Sequence, residues 1–296
     1  MTDKDKPFKH VLIIGCGDIG LRVAKMWKNT GKTVFALARS EDSIDVFRQQ
    51  HLHACQADLD DTQTLKSLPT RHALLYYFAP PPAKGQVDTR MENFLASIDK
   101  ENLPTHLVYI STSGVYGNQD GRLINEDTPV NPSVDRARRR YHAEQQLHSW
   151  SQQTGVAVTI LRVGGIYGPG RLPLQRIKDQ VPMLHEELSP QTNRIHADDL
   201  AQVCVAAASQ KAEGEIYNVS DGTNSNMTEY FNTIADQFDL PRPPLVDWEE
   251  AEKTISSGML SYLKESRRLD NSKMINELEI ELKYPVLKDG LKTCHE

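Results

Sequence analysis

Two groups of residues in this 296-residue chain have the types and spacing to do chemistry. The first is Gly15-Cys16-Gly17-Asp18-Ile19-Gly20, a GxGxxG pattern that follows the apolar run Val11-Leu12-Ile13-Ile14 and opens an amphipathic segment. In a strand-to-helix turn the first glycine permits the tight bend. The second lets a pyrophosphate approach the backbone, and the third lets helix and strand pack closely. The helix N-terminus adds unpaired N–H groups and a partial positive charge. Gly15, Gly17, Asp18, Ile19 and Gly20 are therefore expected to hold a dinucleotide. At the end of the second strand stands Arg39-Ser40, where a carboxylate would accept hydrogen bonds from the ribose of NAD. Arg39 would instead pair with a 2′-phosphate and stack on the adenine, so NADP is the expected form, with NAD as the alternative. Asp58-Leu59 after the third strand would meet the adenine amino group, and Ala79-Pro80 after the fourth would wall the middle of the cofactor.

The second group is cationic: Arg136, Arg138, Arg139 and Arg140 lie within five residues, followed by Tyr141 and Glu144. Arginine stays protonated far above neutral pH, so it can hold an anion or stabilise developing negative charge, but it cannot act as an acid. The same run also reads as a solvated helix face, with Glu144 pairing to Arg140 four residues away. Arg171 and Arg194 are expected anion holders, each equally suited to a structural ion pair. Tyr116, Tyr167 and His196 fall in segments expected to line a cleft and are assigned to ligand contact ahead of Tyr76 and Phe78. His51-x-His53 has no cysteine or carboxylate at metal-ligand spacing, so no metal is expected.

The elements that must position these groups come from apolar periodicity. Short apolar runs at 11–14, 33–38, 52–55, 73–78, 105–110 and 157–162 read as strands apolar on both faces. Amphipathic stretches at 18–29, 42–50, 61–68, 88–101 and 136–153 read as the helices between them. That alternation predicts an α/β fold, a doubly wound parallel sheet covered on both sides. After residue 165 the rhythm breaks: Gly164-Gly165-Ile166-Tyr167-Gly168-Pro169-Gly170 leads into a proline-rich stretch, followed by a helix (198–210), a strand (215–219), a helix (226–239) and a helix-prone tail. The expected organisation is a dinucleotide-binding domain over residues 1–165 and a smaller substrate-covering subdomain over 166–296 that shares its cleft. Simple helical padding is the other reading of the tail.

Composition sets the outer bounds. There are 34 Lys and Arg against 40 Asp and Glu, a formal net charge of −6, so the chain carries no overall electrostatic footprint for nucleic acid or an anionic membrane. Its longest apolar run, Ala73–Ala79, is far short of the roughly 20 residues a spanning helix needs. Cys16, Cys55, Cys204 and Cys294 lie far apart, which suits a reducing compartment. The charged N-terminus lacks the apolar stretch of a signal peptide. The expectation is a cytoplasmic protein acting on a small molecule, with no nucleic-acid or membrane partner.

Several motifs, in order, carry a family resemblance. Ile110-Ser111-Thr112-Ser113-Gly114-Val115-Tyr116-Gly117 resembles the catalytic loop of the extended short-chain dehydrogenase/reductases, the sugar-nucleotide epimerase and dehydratase group. The likeness continues through Leu161-Arg162, Ile166–Arg171, Arg194–Leu200 and Gly214–Val219. The ending, with Arg267–Asn271 and Tyr284-Pro285, is more similar to an atypical bacterial branch of NAD(P)-dependent epimerase/dehydratase-like proteins. The resemblance implies a Rossmann domain, a nicotinamide cofactor, and a substrate pocket under a small C-terminal subdomain. It also implies that Thr112 contacts the reacting oxygen and that Ser113 lines the substrate site.

The chain departs from that family in two places. The glycine motif usually reads GxxGxxG, and here it is GxGxxG. More consequentially, family catalysis uses a tyrosine and, four residues later, a lysine that lowers its pKa. Anchored on Glu144, the helix places Arg140 at the lysine position and Arg136 at the tyrosine position, 24 residues after Thr112. Anchored on Tyr141, the partner is the neutral Gln145. Residue 141 lies about 100° around the helix from 140, so one face cannot present both sets. Thr112, Arg136, Arg140 and Tyr141 are thus the candidate catalytic residues. The proton would come from Thr112, Ser113, Tyr116, Tyr141 or water. An NADP-dependent oxidoreductase, epimerase or dehydratase acting on an anionic or sugar-nucleotide-like substrate is the leading expectation. A non-catalytic NADP sensor is the competing one.

Overall fold

The computed structural model describes residues 8–294. Seven strands form its central sheet: β1 (His10–Ile14), β2 (Val34–Ala38), β3 (His53–Gln56), β4 (Ala73–Tyr77), β5 (His106–Thr112), β6 (Ala157–Val163) and β7 (Ile216–Val219). Their spatial order is 3-2-1-4-5-6-7, and every pairing is parallel. This is a doubly wound Rossmann sheet. The order reverses between β1 and β4, which opens the crevice where such sheets receive ligands.

The strands lie where the apolar runs required them. Val11, Leu12, Ile13 and Ile14 are all wholly buried, as are Leu74, Leu75, Tyr76 and Tyr77. Helices α1 (Asp18–Asn29), α2 (Glu41–Gln49), α3 (Thr62–Leu65), α4 (Thr89–Ala96) and α5 (Asp135–Thr154) connect the first six strands. Two helical segments are shorter than their periodicity suggested. The 61–68 segment is a single turn capped by Asp61, and the 88–101 segment ends at Ala96, with a separate 3₁₀ turn at Lys100–Asn102. The segment between β5 and α5 carries local structure. It makes a 3₁₀ turn at Ser113–Tyr116 and a short strand, Leu123–Ile124, that pairs in parallel with Arg268–Leu269 from the tail.

Beyond residue 165 come α6 (Leu174–Lys178), α7 (Ala197–Ala206), α8 (Met227–Gln237), α9 (Trp248–Thr254) and α10 (Ser257–Leu263). β7 joins the central sheet beside β6, and α7 shares one sheet-face core with α1. The sheet therefore draws on chain from both sides of residue 165. A separate apolar core, which includes Ile177, Met183, Phe231, Ile234, Met259 and Leu263, forms wholly from residues 167–291, and its Phe231 and Met259 share a cavity with Thr112 at the end of β5 and Gly164 just after β6.

One buried polar network ties α5 to the strands. Glu144 accepts hydrogen bonds from Ser111 at the end of β5 and from Arg162 of β6, whose Nη2 lies 2.8 Å from Oε2. Arg162 Nη1 donates to the Tyr116 hydroxyl at 3.0 Å, and that hydroxyl donates to Asn218 Oδ1 of β7 at 2.8 Å. Glu144 thus pairs with Arg162 rather than with Arg140. Removing one partner of a buried pair leaves the other charge uncompensated. Glu144→Ala is expected to cost about 3–5 kcal/mol of unfolding free energy in urea titration. A loss below about 1 kcal/mol would show that the network holds nothing together.

Candidate functional site

The glycine loop has the shape a phosphate requires. Gly15 has φ of +86°, and a Cβ there would lie 2.4 Å from the Ala79 nitrogen, so the loop presses on the end of β4. A Cβ at Gly20 would meet Gly15 O at 3.2 Å and Ile13 Cγ2 at 3.3 Å, the close helix–strand contact that needs glycine. Gly17 differs. It is the N-cap of α1, and nothing lies within 4 Å of its Cβ position. No side chain caps α1, whereas Ser40 caps α2. The first N–H groups of α1 therefore face open space and suit an anion.

The other residues assigned to the dinucleotide lie along the same edge of the sheet. Arg39 is exposed at the end of β2, and Ser40 is occupied in capping α2. Asp58 Oδ1 accepts the Asp60 N–H at 2.9 Å, while Asp60 itself is gripped by Arg90 through contacts of 2.9 and 2.6 Å. Leu59 and Ala79 are buried, and Pro80 is exposed, with its carbonyl accepting from Arg90. Ile19 packs in the core. Asp18 pairs with Arg22 at 2.9 Å and Arg171 at 2.5 Å. Burial works against its charge, but the hydrogen bonds from Arg171 and Arg22 prevail and hold the carboxyl below its ordinary range. Asp18 is thus committed to arginines of the protein, and Arg171 links the glycine loop to the segment after β6.

Next to this edge lies a cavity of about 640 Å³, between the carboxyl ends of β5 and β6 and the C-terminal helices. Thr112, Ser113 and Gly114 form one side, with Arg136 and Arg140 of α5 beside them. Thr112 Oγ1 accepts the Gly114 N–H at 3.1 Å and so shapes the turn. Arg140 Nη1 donates to Ile110 O at 3.1 Å and to the Tyr109 hydroxyl at 3.3 Å. Burial opposes its charge, but Tyr109 and Asp88 more than offset that. Arg136 crosses the cavity to the C-terminal part, donating to Ser261 Oγ at 2.6 Å and stacking 3.7 Å from the Tyr262 ring centre.

Arg194 is buried in the opposite wall, with Nη1 3.1 Å from Ser225 Oγ and its guanidinium 3.6 Å from the Tyr230 ring centre. Burial without an ion-pair partner brings its pKa down to about 10. Arg171, Arg176 and Arg267 complete the cationic lining. Buried Glu265 lies 3.0 Å from Arg267 and 3.8 Å from Arg136, and it is the one carboxylate among the described residues that line the cavity. Arg140, Arg176 and Arg194 form no ion pair among the described residues. Such a cavity attracts negative charge.

Four assigned residues lie outside it. Tyr141 packs with Val115, Tyr116, Ile124 and Leu269, because its position on α5 turns it away from the Arg136–Arg140 stripe. The Tyr116 hydroxyl is taken up by Arg162 and Asn218. Tyr167 is buried in the C-terminal core, its ring edge-on to His196 at 5.2 Å. His196 caps α7, accepting the Asp198 N–H at 3.2 Å, and its Nε2 lies 3.0 Å from Thr293 Oγ1. Sequence reasoning in turn missed Arg176, Tyr230, Tyr262 and Glu265. No spacing marks them; only the folding of the tail over the sheet brings them in. No group of three or more His, Cys, Asp or Glu able to hold a metal occurs among the described residues, nor does a helix long and apolar enough to cross a membrane.

The buried Arg194 should reveal itself in two measurements. Arg194→Met removes a desolvated cation, so thermal stability should hold or rise. Binding of inorganic pyrophosphate by calorimetry should weaken at least about tenfold, a change of about 1.4 kcal/mol; unchanged affinity would remove Arg194 from the site. Behind it, burial pushes the Asp221 carboxyl from 3.8 up to about 6, against the Thr223 N–H and Arg194. A raised carboxyl binds its proton more tightly in the folded state. Relative to Asp221→Asn, the wild type should lose stability as pH rises from about 4 to about 6, by up to about 1.4 kcal/mol per pH unit, and stay level above that. Parallel pH–stability curves for the two proteins would contradict this.

The comparisons agree with this architecture. The sequence model of the NAD dependent epimerase/dehydratase family matches residues 11–220. "Protein YeeZ" of Escherichia coli (strain K12) is 23% identical over 286 residues, covering 94% of this chain and 97% of YeeZ. A solved structure of a functionally unknown conserved protein from Silicibacter pomeroyi superposes with a TM-score of 0.78 at 25% identity, covering 96% of this chain and 97% of that one. The UDP-glucose 4-epimerase of Thermotoga maritima, solved with UDP-glucose, superposes with a TM-score of 0.79 at 18% identity over 96% of both chains and shares the fold. With a match that runs from β1 to the end of the central sheet, the chain belongs to the NAD dependent epimerase/dehydratase family.

Proposed function

We propose that this chain is an NADP-dependent oxidoreductase, epimerase or dehydratase whose substrate is anionic and sugar-nucleotide-like. The observation that carries the reading is the cation surplus of the cavity beside an open glycine cradle. Arg140, Arg176 and Arg194 have no carboxylate partner there, and the uncapped N-terminus of α1 faces free space at Gly17. The family's description names NAD, and Arg39 at the end of β2 favours the 2′-phosphate of NADP. Four cysteines without disulfides suit a cytoplasmic setting.

Gly15, Gly17 and Gly20 would hold the pyrophosphate and Arg39 the 2′-phosphate, and a nicotinamide bound this way supplies or takes up a hydride. Thr112 hydrogen-bonds the reacting oxygen at the cavity floor. Arg140, fixed by Ile110 O and the Tyr109 hydroxyl, stabilises negative charge that develops there. It cannot relay a proton. Arg194 and Arg176 hold the phosphoryl groups of the substrate at the far wall. The second reading, a dinucleotide sensor, is favoured by the arginines that the frame anchored on Glu144 puts at the family's tyrosine and lysine positions, and by Tyr141 lying outside the cavity.

Two measurements test the proposal. NADPH should bind more tightly than NADH in a fluorescence titration, and Arg39→Asp should reverse the order. A preference for NADH that Arg39→Asp leaves unchanged would contradict the cofactor assignment. With stereospecifically deuterated NADPH, the label should appear in one of a panel of sugar nucleotides and small carbonyls. Tight binding without transfer would favour the sensor.

A further inference from the structure

In the frame anchored on Glu144, α5 carries Arg136 at the family's tyrosine position, and that arginine touches another tyrosine. Only Tyr230 and Tyr262, among the described tyrosines, line the cavity. Tyr230 is buried under Arg194 and hydrogen-bonded to it, at the far wall. Tyr262 is half exposed, and its hydroxyl makes no hydrogen bond among the described residues. Its ring is clamped by Arg136, which Ser261 Oγ holds at 2.6 Å, Ser261 O at 3.3 Å and Glu265 at 3.8 Å. Arg136 and Arg140 share one stripe of α5, and Arg140 is bonded to Ile110 O, two residues before Thr112. The Tyr262 ring therefore lies one contact thickness beyond the side chain at the family's tyrosine position, on the cavity side.

We propose that Tyr262, delivered from α10 of the C-terminal part, is the catalytic tyrosine of this chain and shares the reacting oxygen of the substrate with Thr112. This rests on reading the cavity as a hydride-transfer site. In the reductive direction the Tyr262 O–H bond would break as the substrate's carbonyl carbon gains a hydride, which a bound reduced nicotinamide would supply. The proton goes to the carbonyl oxygen, and the phenolate left facing Arg136 takes a proton back from water. The carbonyl is reduced, the nicotinamide is oxidised, and the reverse sequence oxidises an alcohol.

The deciding experiment is a crystal structure of the full chain with NADPH. Tyr262 Oη and Thr112 Oγ1 should converge on one ordered water above the nicotinamide, each within about 2.6–3.2 Å. A Tyr262 turned to solvent, or Tyr230 in that place, would overturn the proposal while leaving the proposed function intact. Failure of NADPH to bind would overturn both. Where the labelled-NADPH screen yields a substrate, Tyr262→Phe keeps the ring on Arg136 but removes the hydroxyl, so kcat should fall about 10²-fold or more with KM little changed. An unaltered kcat would contradict the assignment, because a tyrosine that only positions Arg136 would be replaced adequately by phenylalanine.

Discussion

Positive charge gathered in a cavity without matching carboxylates is the constraint on which the rest of this structure depends. Leaving a buried cation unpaired is costly, and proteins normally place an acid beside it. Here Glu265 serves two arginines and Asp18 serves Arg171, while Arg140 and Arg194 are held by carbonyls, hydroxyls and aromatic faces, and the exposed Arg176 rests against the Met259 thioether. These contacts fix the guanidinium groups without neutralising them. A net charge of −6 over the whole chain makes the local accumulation stand out further. A ligand carrying phosphate would supply what the protein withholds.

Holding those cations in place is the work of the sheet and α5. Glu144 and Arg162 lock the helix onto β5 and β6, which orients the stripe carrying Arg136 and Arg140 toward the cavity and turns Tyr141 away. The same network consumes Tyr116 and Asn218, so residues close to the catalytic loop in sequence serve as its foundation. At the other edge, Arg171 reaches Asp18 beside the glycine cradle. The glycine cradle and the cavity thus share an ion pair. β7 and α7, which come after the breakdown of the α/β rhythm, return to complete the sheet and cover α1.

Much of this was legible in the sequence because its causes are local. Buried parallel strands must be apolar on both faces, so Val11–Ile14 and Ala73–Tyr77 announce themselves. The glycine loop is readable because only a missing Cβ allows the approach of Gly15 to Ala79. Partnerships across the fold were not readable. Glu144 stands four residues from Arg140, the spacing of a helical pair, yet a strand 18 residues away provides its partner. Tyr167 and His196 follow strands at the cleft, where ligand contacts are common, but the C-terminal helices fold down and bury both. Arg176, Tyr262 and Glu265 carry no pattern at all, since their position comes from how short tail helices dock.

The central claim is that the cradle and the cavity form one site for a dinucleotide and an anionic substrate together. Native mass spectrometry of the full chain mixed with NADPH and a panel of sugar nucleotides tests it directly. The account predicts a complex containing one NADPH and one member of the panel per chain, with NADPH retained when that sugar nucleotide is in excess. Mutual displacement of the two ligands, or a chain that binds neither, would contradict it.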